Sequence, residues 1–164
     1  MLKYPVETIR HSTAHLMAAA ILELWPKARL GVGPAVDYGF YYDVDLKDAN
    51  GGTARLTPND LLRIEKRMRE IVKRGQVFRR EEMPIDAAIV FFMERGQDFK
   101  VELLRDLKEK GTTAVGGLQT TDYGLPPSAL DQSTVVRSLS TVDRVTVYHT
   151  GEKFVDLCRG PHVA

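Results

Sequence analysis

The stretch from Pro5 to Trp25 places apolar residues on two sides of one helix, and this limits how the chain can fold. Pro5 suits a first helical turn and Pro26 ends the run. Ile9, Thr13, Leu16, Met17, Ala20, Ile21 and Leu24 form one stripe, and His11, His15, Ala18 and Leu22 form another on roughly the opposite face. A helix apolar on both sides is embedded between layers. The two histidines are therefore expected to face a covered cleft rather than open solvent.

The remaining elements surround that helix. Leu30 to Val36, broken by Gly31, Gly33 and Pro34, reads as a strand entering a tight turn. Phe40 to Leu46 alternates, with Phe40, Tyr42, Val44 and Leu46 on one face, and reads as a single half-buried strand. Residues 48–52 read as a turn-rich loop. Thr57-Pro58-Asn59-Asp60 opens a second helix with a cap, a first-position proline and an acid at the positive dipole end; the helix runs to about Lys73, before Gly75. Val77 to Met83 is extended, and Asp86 to Arg95 is a third helix stopped by Gly96. Periodicity leaves Phe99 to Leu104 open between a strand and a helix reaching Lys110. Thr112 to Ser140, rich in Gly, Thr, Ser and Pro, is a candidate long loop or insertion. Val145 to Cys158 reads as a hairpin turning near Thr150-Gly151-Glu152, with Phe154, Asp156 and Cys158 on one face. Helices and antiparallel strands interleave without regular βαβ units, which makes the class α+β: an antiparallel sheet with packed helices and a cleft beside a central helix.

The 164 residues fit one domain, 1–164. A net charge of +1 neither supports nor excludes nucleic acid, so any RNA footprint must be a local patch. One cysteine excludes an intrachain disulfide. The sequence has neither a signal-peptide apolar core nor a run near the roughly 18 residues of a membrane span, and a cytoplasmic location is the expectation. The chain stops two residues after His162, which suggests a domain excised from a longer protein.

Two pairs of residues bear chemistry. His11 and His15, spaced i, i+4, put two imidazoles on one helix face. Such a pair holds a metal or positions a water; taken alone it also reads as two polar residues at a helix edge. Cys158-Arg159-Gly160-Pro161-His162 gives the second pair, and Pro161 argues for a fixed turn instead of a helix. Alone it reads as a buried cysteine and a chance histidine. Yet three of the four histidines fall in these pairs, which tilts the reading toward function. His11, His15, Cys158 and His162 match a tetrahedral zinc site. Closed on four ligands it would be structural; with one position open it would be catalytic. Without metal, the same residues can hold a water and a sugar hydroxyl, with a histidine as base.

The tracts HSTAHLMAAAILELWP, GVGPAVDYGFYYDVD and VDLCRGPHV resemble, in this order, the editing domain of bacterial-type threonyl-tRNA synthetase. That domain shares its fold with the editing modules of alanyl-tRNA synthetase. The resemblance covers residues 5 to 110 and 145 to 164. Alanyl-type proteins usually carry Gly-Gly-Thr between Cys and His, whereas Arg159-Gly160-Pro161 favours the threonyl branch.

The resemblance implies hydrolysis of serine mistakenly attached to threonine tRNA, by a domain of a longer, ATP-binding, homodimeric synthetase. It implies a site at His11, His15, Cys158 and His162, with roles for Lys100, Asp156 and Tyr42. Lys100 and His11 are expected near the attacking water, and Asp156 orients a histidine or binds the seryl amine. His15, Tyr42, Cys158 and His162 are expected to bind substrate. The bland alternatives are a solvated lysine, a hairpin acid and a core tyrosine. Zinc is a candidate cofactor whose ligands would be His11, His15, Cys158 and His162. The partners are threonine-specific tRNA and its seryl ester, with no membrane. Two other readings stand beside this one: an alanyl-type factor acting in trans on Ser-tRNA(Ala), and a zinc-stabilised tRNA-binding module without turnover. The basic residues between Arg63 and Arg80 interleave with glutamates and read as a salt-laced solvent face. Thr112 to Ser140 departs from the shorter connection usual in the family.

Overall fold

The computed structural model describes residues 3–47, 52–110, 143–151 and 153–164. The expected insertion over Thr112 to Ser140 lies outside them, as do residues 48–51 of the expected loop. The class is α+β, with four helices and small antiparallel sheets among the described residues. Two compact units are present: Met1–Glu82 with Thr146–Ala164, and Met83–Val145.

The first unit is built on helix α1, Val6–Leu24. Its buried residues include Ala14, His15, Ala18, Ala19, Ala20 and Ile21. Small side chains over 18–20 let neighbouring elements come close. Helix α2, Pro58–Lys73, packs along α1 through Ile64 and Ile71. Thr57 caps α2 as expected: its hydroxyl accepts from the Asp60 N–H, and the Asp60 carboxylate accepts from the Thr57 N–H. This reciprocal arrangement satisfies two backbone donors that the first turn leaves open. Glu23 ties the helices further by accepting from Arg67 and Arg74.

Strands β1 (Arg29–Leu30), β4 (Val44–Lys47) and β5 (Thr53–Ala54) form a sheet in the order β1-β4-β5, while β2 (Ala35–Val36) and β3 (Gly39–Phe40) make a separate hairpin. The single strand expected over Phe40 to Leu46 is thus divided. Its first part pairs with β2 and its last part with β1 and β5. Different partners at the two ends impose the break. The alternation nevertheless holds at the core, where Tyr42, Val44 and Leu46 all pack. Leu30 to Val36 likewise splits between β1 and β2.

Strands β6 (Phe78–Pro84), β7 (Arg144–Thr150) and β8 (Phe154–Leu157) form a sheet in the order β6-β7-β8. The expected hairpin is β7–β8, with Tyr148 opposite Asp156 and Thr150 opposite Phe154. Opposed residues share a face, so Tyr148, Asp156 and Phe154 point the same way. Helix α1 lies against β8, and Phe154 joins the core formed by Ala18 to Ile21, Leu30, Leu46, Ile64 and Ile71.

In the second unit, helices α3 (Ile85–Glu94) and α4 (Asp98–Lys110) pack on one another. The ambiguous Phe99 to Leu104 segment is helical. Asp98 starts it, Lys108 and Lys110 end it, and both charges suit the helix dipole. Its buried residues are Lys100, Val101, Leu103 and Leu104.

Ile71 is 1% exposed at the α1–α2 contact. Ile71→Ala is expected to cost about 2–5 kcal/mol of unfolding free energy in urea titrations. A loss under about 1 kcal/mol would mean that α2 is not anchored there.

Candidate functional site

The first unit brings the four expected residues together. Helix α1 presents His11 and His15 one turn apart, their ring centroids separated by 5.0 Å. The turn after β8 returns Cys158 and His162 to the same place. Cys158 Sγ lies 3.2 Å from His11 Nε2 and 3.4 Å from His162 Nε2. The His162 ring sits 4.4 Å from that of His11 and 4.3 Å from that of His15.

The turn is held from several sides. Gly160 N–H donates to Cys158 Sγ at 3.1 Å, and the Gly160–Pro161 peptide is cis. Gly160 has φ +76°, and a Cβ there would collide with the Tyr148 hydroxyl. The position therefore requires glycine on both conformational and steric grounds. The His162 ring is stacked on Phe78 at 4.6 Å and meets Tyr148 edge-on at 4.4 Å.

Asp156 is 3% exposed, and its Oδ2 stands 3.4 Å from His15 Nε2. The same oxygen accepts from the Tyr42 hydroxyl. Tyr42 joins two functions that the sequence offers as alternatives: its ring packs on the core and its hydroxyl reaches the site. A side chain on Gly33 would overlap that ring.

Burial pushes the His162 imidazole down to about 3, and nearby His15 and His11 add to the effect against the pull of Asp156. Burial also lowers His11, opposed by Asp156 and by a bond to the Pro161 carbonyl. Burial, aided by Cys158, raises the Tyr148 phenol. Desolvation thus outweighs the attraction of one carboxylate, and His11 and His162 are neutral near pH 7. Neutral imidazoles are bases, acceptors and metal ligands.

One donor atom from each of His11, His15, Cys158 and His162 lies within 4.8 Å of the others. Tetrahedral zinc with Zn–N and Zn–S of about 2.0–2.3 Å puts its ligands about 3.3–3.6 Å apart. The Cys158 distances to His11 and His162 meet that spacing, while His15 Nε2 is directed to Asp156. A carboxylate on one nitrogen of an imidazole leaves the other able to ligate, so the donor set of all four residues fits zinc. When bound, such an ion would act as a Lewis acid.

Lys100 belongs to α4 of the second unit, where it is 3% exposed; it is not among the residues the first unit gathers. Sequence reasoning missed three contributors. Ser12 lies inside the HSTAH tract, and its hydroxyl is 3.2 Å from His162 Nδ1. Its place between the histidines was the available signal. Phe78 and Tyr148 gave none, because an aromatic in an alternating strand is ordinary. The basic residues of α2 and β6 are largely spent in pairs: Arg63–Asp60, Arg67–Glu23, Arg69–Glu65, Arg74–Glu23, Arg79–Glu81 and Arg80–Glu82.

With this geometry in view, the relatives of the chain are informative. A threonine–tRNA ligase of Bdellovibrio bacteriovorus is 37% identical over 158 residues, and one of Dehalococcoides mccartyi is 40% identical over 158. A third, from a Caulobacter species, is 40% identical over 161. Each match covers 96% of this chain. The chain is homologous to a segment of threonine–tRNA ligase. It spans about a fifth of the length of these relatives, 18–20% of each. No protein-family model matches it. The resemblance read from HSTAH, GFYYD and CRGPH is thereby borne out at the level of threonine–tRNA ligase. Among the described residues, no helix is long and apolar enough to cross a membrane.

Two outcomes follow. Stoichiometric Zn²⁺ is expected to raise the melting temperature of the wild type but not of Cys158→Ala; equal responses would exclude these donors as a metal site. The second concerns acid, tested in chelator. The unfolded chain protonates His162 near the ordinary 6.5, but the folded chain does so only near 3. Stability is then complete above pH 6.5 and falls as pH drops toward 3. Between pH 7 and 5, His162→Gln should lose less stability than the wild type in denaturant titrations. Identical losses would remove His162 as the cause.

Proposed function

We propose that this chain hydrolyses the ester of Ser-tRNA(Thr), as the editing domain of a threonyl-tRNA synthetase. The observation that carries the reading is the convergence of His11, His15, Cys158 and His162 on one half-buried point, with Asp156 and Tyr42 beside them. Homology to threonine–tRNA ligases supports the choice of tRNA.

The reaction adds water to the seryl carbonyl and releases serine, leaving a free hydroxyl on the terminal ribose. An activated water and stabilisation of the developing oxyanion are needed. His11 is neutral and can take the water proton. Cys158, His162 and His15 line the pocket, and Asp156, held by Tyr42, attracts the seryl ammonium. Lys100 enters as a second candidate base on the strength of the family resemblance alone. Zinc, should the site hold it, would rest on His11, His15, Cys158 and His162.

The logic is a second sieve. A synthetic site that selects threonine through its hydroxyl also accepts serine, and one methyl gives only about 1–3 kcal/mol of discrimination. A small, rigid pocket reverses the test: it admits serine and rejects the extra methyl of threonine. The parent would be a cytoplasmic, dimeric, ATP-using ligase.

Deacylation of Ser-tRNA(Thr), Thr-tRNA(Thr) and Ser-tRNA(Ala) tests the proposal. The expected result is rapid loss of serine from the threonine tRNA only. His11→Ala should lower kcat by about 10²–10⁴-fold, and Lys100→Ala reports whether lysine shares the task. Hydrolysis no faster than the spontaneous rate would overturn the reading. A preference for Ser-tRNA(Ala) would move the chain to the alanyl-type activity, and tRNA binding with bound zinc but no turnover would make it a binding module.

A further inference from the structure

We infer that Ser12 is a positioning residue that sets the tautomer of His162, keeping its Nδ1 protonated and turning the Nε2 lone pair to Cys158. A serine hydroxyl has one proton to give and two lone pairs to receive. Ser12 Oγ is 2.7 Å from the Thr8 carbonyl, which can only accept, so the hydroxyl proton goes there. The Val163 N–H can only donate, and at 3.0 Å it takes one lone pair. One lone pair is left, facing His162 Nδ1 at 3.2 Å. A bare Nδ1 would set lone pair against lone pair, whereas Nδ1–H completes the set. Ser12 is 4% exposed, which leaves little room for water to take over one of these bonds.

A neutral imidazole carries one N–H, so His162 Nε2 becomes an acceptor, 3.4 Å from Cys158 Sγ. His11 bonds the Pro161 carbonyl through its ring, and its Nε2 faces the same sulfur at 3.2 Å. Cys158 has one thiol proton and two nitrogens to serve. The thiol proton meets one of these lone pairs at a time, and the other is where we place a ligand. The ligand it suits brings an N–H or O–H donor, such as the ammonium or hydroxyl of an aminoacyl ester. Groups that fix the far nitrogen of a metal-ligating imidazole commonly change metal affinity or activity by about 10–100-fold, and the same order is expected here.

Long-range ¹H–¹⁵N correlation on protein with ¹⁵N-labelled histidine reads the tautomer directly. The wild type should show His162 protonated at Nδ1, Ser12→Ala should shift it toward Nε2–H, and Ser12→Thr, which keeps the hydroxyl, should restore it. An Nε2–H ring in the wild type, or an unchanged ring in Ser12→Ala, would overturn the inference. Should Ser12→Ala fail to fold, the wild-type spectrum alone decides. The kinetic arm rests on the editing proposal: Ser12→Ala should lower kcat on Ser-tRNA(Thr) about 10–100-fold with little change in KM, and Ser12→Thr should recover most of it. An Nδ1–H ring in a protein that does not deacylate would sink the editing proposal and leave this inference standing.

Discussion

Helix α1 is covered on two sides, and the positions of the site's donors depend on that covering. Ala14, Ala18 and Ala20 are fully buried, and Ile21 is nearly so. With α2 on the helix and β8 against it, α1 has little freedom to slide or turn. His11, Ser12 and His15 occupy the same rigid rod, with His15 directly after Ala14, so their spacing is inherited from the core. A loop carrying the same three residues would have to order them at the moment of binding and would lose affinity or rate in proportion.

The second constraint is electrostatic. Three imidazoles, a thiol and one carboxylate are crowded together, with His15, Cys158 and Asp156 buried and His11 and His162 partly so. Charging the rings there is costly, and Asp156 does not offset the cost, which leaves His11 and His162 uncharged. Asp156 is itself steadied by the Tyr42 hydroxyl. The result is a cluster of uncharged imidazoles beside one buried carboxylate.

Much of this was legible in the sequence because periodicity and turn chemistry are local. The double stripe of α1, the cap at Thr57 and the hairpin ending at Cys158 all have local causes. The HxxxH and CxxxH pairs were visible for the same reason, and the family resemblance already joined them into one site across some 150 positions. What was not legible depended on partners distant in sequence. The break between β3 and β4 comes from their different neighbours, and the contacts of Phe78 and Tyr148 with His162 come from the sheet. Ser12 was in plain sight, but its importance rests on bonds to Val163 and His162 at the other end of the chain.

Gly160 carries a consequence for how the site can vary. Its backbone lies where the Tyr148 hydroxyl leaves no room for a Cβ, so a side chain at 160 displaces either the turn or the tyrosine, and both touch His162. Arg159, beside it, is exposed. Freedom to diversify therefore differs sharply between adjacent residues of one short turn: 159 faces solvent, while 160 is closed to any side chain.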